Sequence, residues 1–146
     1  MKKVLFLLML LTILGIVFSY AQCSKKQLIT SAKTEYLDAN GNLQRAVDEN
    51  TTIEYDKSNI TITIDQGDSK VMSGPVKLDS CDWSIPYKQG KSIVKAVISD
   101  ARGDAKNLTI TIEGKDGKLS FLAEVEERPD MKIRLTVDKF EEKKTP

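Results

Sequence analysis

The 146-residue chain contains no histidine, which removes the commonest general base, the commonest metal ligand and every Ser-His or Cys-His nucleophile pair. Cysteine is almost as scarce, with Cys23 and Cys81 alone, and tryptophan occurs once, at Trp83. Neither sign of charge dominates: 22 basic residues face 21 acidic ones, and without Lys2 and Lys3 the basic count falls to 20, a net charge of −1. A mixed surface of this kind lacks the clustered cations of a nucleic-acid footprint. Beyond residues 1–21, Tyr36, Tyr55, Trp83, Tyr87, Phe121 and Phe140 are not interleaved with a basic stripe, which argues against a base-stacking platform. No repeat, low-complexity tract or Pro/Gly-rich linker divides the chain, which predicts one domain.

What is present begins at the first residues. Lys2 and Lys3 precede an uncharged apolar run from Val4 to Phe18, followed by Ser19-Tyr20-Ala21 with small residues at the two positions a signal peptidase reads. Residues 1–21 are therefore expected to be a signal peptide cleaved after Ala21, delivering residues 22–146 to the periplasm or the exterior. Two alternatives involve a membrane: retention of the run as an anchor, or lipidation of Cys23, for which Gln22 and Tyr20 are poor neighbours. The remaining chain is long enough to bury about two thirds of its unfolded surface, so it requires neither a metal nor a dense disulfide net. An oxidising compartment makes a Cys23–Cys81 bridge the economical reading, although a frayed N-terminus would reduce its benefit; separate thiols, with Cys81 buried, are the alternative.

The strongest internal signal is alternation. Ile60, Ile62 and Ile64 interleave with Thr61 and Thr63; Leu108, Ile110 and Ile112 do so with Thr109 and Thr111. Leu119, Phe121, Ala123 and Val125 form a third row, and Met131, Ile133, Leu135 and Val137 a fourth. A period of two with β-branched enrichment predicts antiparallel strands with one wet and one buried face. Weaker strands are expected at 28–37, 43–47, 51–55, 70–78 and 92–99. Residues 38–42 (Asp-Ala-Asn-Gly-Asn) and 115–118 (Lys-Asp-Gly-Lys) carry hairpin-turn chemistry, and residues 141–146 read as a solvated tail. Eight to ten short strands predict an all-β antiparallel meander closing as a barrel, with a β-sandwich as the alternative. The two-lysine export signal, the D-x-N-G-N first hairpin, the Ile/Thr strands and the final M-x-I-x-L-x-V strand resemble small exported bacterial proteins with a lipocalin-like meander. That resemblance implies a barrel; no ligand-contacting residue carries over from it.

Several constellations have an ordinary explanation beside a chemical one. Ser92-Ile93-Val94-Lys95 matches the S-x-x-K nucleophile motif, but S-D-N and K-T-G companions are missing, and a strand would put Ser92 and Lys95 on opposite faces. Asp38, Asn40 and Asn42 have calcium-loop spacing, yet Gly41 is misplaced for such a loop and a hairpin turn accounts for them. Three N-x-T sequons at Asn50, Asn59 and Asn107 accompany Thr-rich strands. The segment Asp79-Ser80-Cys81-Asp82-Trp83 joins two carboxylates, a thiol and the lone indole; the plain reading is a bulged turn fastened by Cys81, with Trp83 over a barrel end.

Two function classes compete at this point. One is an exported non-enzymatic binding module holding a small apolar ligand in the barrel, which needs a cavity on the order of 300 Å³. The other is an interaction or inhibitor domain in which Trp83, Ile85 and Tyr87, from residues 81–87, contact a protein partner. A hydrolase using Asp79 and Asp82 is the outsider; no enzyme activity, cofactor or metal is expected, nor a nucleic-acid partner.

Overall fold

The computed structural model describes residues 22–146, so the expected leader at 1–21 lies outside the described residues. Nine antiparallel strands follow in chain order: β1 (Gln27–Asp38), β2 (Leu43–Tyr55), β3 (Asn59–Asp65), β4 (Ser69–Ile85), β5 (Gln89–Ser99), β6 (Ala105–Lys115), β7 (Lys118–Val125), β8 (Met131–Leu135) and β9 (Lys139–Glu142). Each strand pairs with the next from β1 to β8, and β8 returns to β1, which closes an eight-stranded barrel with one extra strand. Closure removes the exposed edges that an open sheet of this length would present. The shape is lipocalin-like.

Side-chain alternation sorts each strand between solvent and interior. In β6, Leu108, Ile110 and Ile112 are buried while the intervening threonines are half-exposed, and β3 buries Ile60 and Ile62 in the same way. The Ser92 region, which also fits a helical period, is strand, with Ser92, Val94, Ala96 and Ile98 inward. At the β6–β7 hairpin, Asp116 and Gly117 both have positive φ, at 52° and 74°, as a two-residue turn matched to strand twist requires.

Acidic side chains fasten two other turns. Asp38 Oδ1 accepts from the Asn40 and Asn42 N–H groups at 2.9 and 2.8 Å, and Asp56 Oδ1 accepts from Ser58 and Asn59 at 2.7 and 2.9 Å. These donors, led by the Asn42 and Asn59 backbone N–H groups, hold both carboxyls below their ordinary pKa. A carboxyl depressed in the folded state stabilises the fold fully above its unfolded pKa and loses that contribution as pH falls through the folded value. Asp79 has the opposite sign, because burial raises its pKa and its ionised form opposes folding. Thermal midpoints are therefore expected to fall as pH drops below about 4, and Asp38→Asn should flatten the decline. Equal slopes for the variant and the parent in melts between pH 5 and pH 2 would reject this account.

Three boundaries differ from the sequence reading. The two short strands expected at 43–47 and 51–55 are one continuous strand, β2, because Asp48 pairs with Lys33 and Asn50 with Asp65, so no loop forms between them. The strand expected at 70–78 runs on to Ile85, so residues 79–85 are strand and not a bulged turn. The expected final strand breaks after Leu135, and the chain then re-pairs as β9, so Glu141 and Glu142 belong to a strand rather than to a loose tail. The break follows an irregularity in β1, whose register shifts between Ser31 and Lys33. The Ala32 N–H released there is taken by Asp138 Oδ2 at 2.7 Å, which turns the closing strand aside before Phe140 enters the core.

Candidate functional site

The two barrel ends have opposite character, which follows from side-chain volume. Tyr55, Trp83 and Phe140 crowd the end where β1 begins, and Trp83 is fully buried at 0% exposure. Its indole N–H donates to Ser92 Oγ at 2.7 Å, and its ring meets Phe140 edge-on with centroids 5.5 Å apart. Gly90 and Gly114 make room for it: a Cβ on Gly90 would lie 2.5 Å from Trp83 Cα, and one on Gly114 would lie 2.8 Å from the indole ring. Tyr55 sits beside the same Ser92 hydroxyl, and burial foremost, with the Asp79 charge second, drives its pKa strongly upward. This end is solid.

A short N-terminal turn seals the same end from outside. The Gln22 carbonyl accepts from Gln27 Nε2 at 2.6 Å, Gln22 Oε1 accepts from the Tyr87 N–H at 3.0 Å, and Cys23 is bonded to Cys81. Cys23 is thus held against the core rather than frayed. The bridge suggests an oxidising, extracytoplasmic environment. Because the same sulfur carries the bridge, a thioether-linked lipid on Cys23 and the Cys23–Cys81 bond are mutually exclusive.

The opposite half of the barrel is hollow. Aliphatic side chains such as Ile53, Ile62, Ile98, Leu108 and Ile110 surround a cavity of about 160 Å³, to whose wall Ala123 contributes a single methyl group. An outer chamber of about 260 Å³ with more polar walls adjoins the cavity; Tyr36, Glu49 and Ile64 line both spaces. Thr34 and Thr51 bring their hydroxyls to 3.5 Å of each other on the cavity wall. Above Tyr36 the Arg45 guanidinium lies 4.1 Å from the ring centroid. Burial first, then the Glu49 charge, raises the Tyr36 pKa, which Arg45 partly offsets. Glu49 is 7% exposed, and its Oε1 has no hydrogen-bond partner.

The residues singled out from sequence do not form one surface. Trp83 is inside the barrel; Ile85, 54% exposed, is on the outside; Tyr87 is half-buried against Phe140, with ring centroids 4.8 Å apart. An indole contact to a protein partner is therefore corrected to a packing role, since a side chain without exposed surface cannot reach a partner. Asp79 and Asp82 lie on opposite faces of β4 and do not converge in one cleft. Ser92 points inward and Lys95 outward, as a strand requires, and Asp38 is engaged by turn N–H groups.

Glu49 was missed as an inward group because residues 48–50 read as a break. Strand parity would have found it: Val47, Glu49, Thr51, Ile53 and Tyr55 share one face, so an unbroken β2 places a carboxylate among inward apolar side chains. Compared with protein-family models, curated proteins and solved structures, the chain matches none, so its functional reading rests on this geometry.

Proposed function

We propose that this chain is an exported, non-enzymatic binding module that holds one small apolar molecule in the hollow half of its barrel, in the periplasm or outside the cell. The observation that supports the reading is the 160 Å³ cavity, with largely apolar walls and sharing Tyr36, Glu49 and Ile64 with an outer chamber. An eight-stranded barrel is wide enough either to be filled by its own side chains or to hold one small ligand. Here the Trp83 end does the first and the Ile110 end leaves room for the second.

The volume limits the ligand. It is smaller than the roughly 300 Å³ of the smallest ordinary ligand pockets, and comparable to apolar cavities of about 150 Å³ that take up benzene. The expected occupant is therefore a single ring or a short branched chain. The alternative of an interaction or inhibitor domain working through residues 81–87 retains Ile85 as its exposed apolar contact.

Titrating the purified protein with toluene and following backbone amide NMR shifts tests the proposal. Shifts are expected at Ile98, Leu108, Ile110 and Ala123, and Ala123→Phe, which places a ring in the cavity, should abolish them while leaving a folded spectrum. Shifts absent from these residues, or unchanged in Ala123→Phe, would overturn it.

A further inference from the structure

We infer that the ligand is a small hydrophobic amine, its apolar body in the 160 Å³ cavity and its ammonium group hydrogen-bonded to Glu49 at the junction with the outer chamber. The inference deepens the proposed function and rests on it. Among the described residues three buried side-chain oxygens lack a hydrogen-bond partner: Gln27 Oε1, Tyr87 Oη and Glu49 Oε1. The first two belong to the solid end, where Tyr87 and the Gln27 side chain act on each other directly. Glu49 differs, because its orphaned oxygen belongs to a side chain that lines an empty space. A buried acceptor without a donor is costly, and a carboxylate oxygen more so than a neutral one. A ligand N–H placed there would supply the missing bond in charge-assisted form.

Position also distinguishes an ammonium head from a carboxylate. Arg45, Lys70 and Lys106 line the two spaces, but all three are exposed, where water screens their charge, and Arg45 already lies over the Tyr36 ring. None makes an ion pair with Glu49. Among the charged side chains that line the two spaces, Glu49 is buried and the others are exposed, so its oxygen is the one least served by solvent. Tyr36, lining both spaces beside it, offers a ring that already attracts one cation.

The test is a matched series of probes, toluene, benzylamine and benzoate, measured by NMR titration against the wild type, Glu49→Gln and Glu49→Asp. Benzylamine is expected to bind roughly tenfold or more tightly than toluene or benzoate, as a charge-assisted bond in a partly desolvated site would give. Glu49→Gln should erase that margin and leave toluene unaffected, whereas Glu49→Asp, which keeps the charge, should restore part of it. If toluene binds but benzylamine shows no advantage, the amine inference is overturned and the apolar site stands. Benzoate binding tightest, and tighter still in Glu49→Gln, would overturn it in favour of the rim cations. No binding by any of the three would overturn the proposed function together with this inference. The comparison of probes on the wild type decides the matter even if a Glu49 variant fails to fold.

Discussion

Replacing Trp83 with alanine is expected to destabilise the protein by about 4 kcal/mol, the usual range for truncating a fully buried aromatic side chain. The cost has three parts on the structure. The indole gives up its packing at 0% exposure, its edge contact with Phe140 and its N–H bond to Ser92 Oγ. The space it vacates cannot close easily, because the adjoining walls are main chain: Gly90 and Gly114 already bring their strands closer to the indole than any Cβ would allow. For a domain of this size the loss corresponds to roughly 15 °C in the thermal midpoint. Trp83→Phe keeps a ring and forfeits the N–H bond, so it should fall between the two. A midpoint for Trp83→Ala within about 3 °C of the parent, on the same scale, would show that the closed end does not depend on this side chain.

The second large effect belongs to the bridge. Cys23 and Cys81 are 58 residues apart, and in the chain-entropy model closing such a loop stabilises by about 4 kcal/mol. The double variant Cys23→Ser/Cys81→Ser is expected to lose about 2–4 kcal/mol, the lower figure applying if the unfolded chain is already compact. The native state adds a reason for the loss. Residues 22–24 cap the solid end through Gln22, and the bridge ties that cap to β4. Urea unfolding of the oxidised and serine forms measures the difference directly. Coincident midpoints with equal slopes would mean that the hydrogen bonds of Gln22 and Gln27 hold the cap without the bridge.

These two variants act on the end away from the cavity, which separates stability from ligand capture. Trp83 and the Cys23–Cys81 bond belong to the solid end, while Ala123 and Glu49 line the hollow one. The division has a simple origin in composition. Tyr55, Trp83 and Phe140 crowd inward near the start of β1, whereas towards the mouth Phe121 stands among aliphatic side chains and the single methyl of Ala123. Strands of uniform width thus enclose an interior packed at one end and open at the other.

Much of this was legible without coordinates. Alternation of Ile with Thr in 59–65 and 107–113 fixes which face is buried because the side-chain period of an extended chain is two, and the D-G and N-G turns fix where direction reverses. Two cysteines in a chain expected to be exported limit bridging to one pair, and that pair is the one observed. The closing strand was harder to read. Met131 to Val137 alternates without interruption, yet pairing stops at Leu135 because its neighbour β1 carries an irregularity at Ser31–Lys33.

Burial of an isolated residue type is set by what surrounds it, and that information is not local. Trp83 in a polar-looking segment reads equally well as a contact residue or a core residue, until β5, β6 and β9 bring Ser92, Gly114 and Phe140 around it. Glu49 inverts the case: a charge in a charged stretch reads as solvated, and barrel closure makes it an inward group. The amino-acid order by itself determined an all-β antiparallel chain and its hairpin turns at 38–42 and 115–118, and limited any bridge to one cysteine pair, since those depend on backbone period, φ preference and cysteine count. Only the tertiary structure decided which end is solid, where the cavity lies and which polar atom faces it, because each depends on side chains converging across the barrel from strands far apart in sequence.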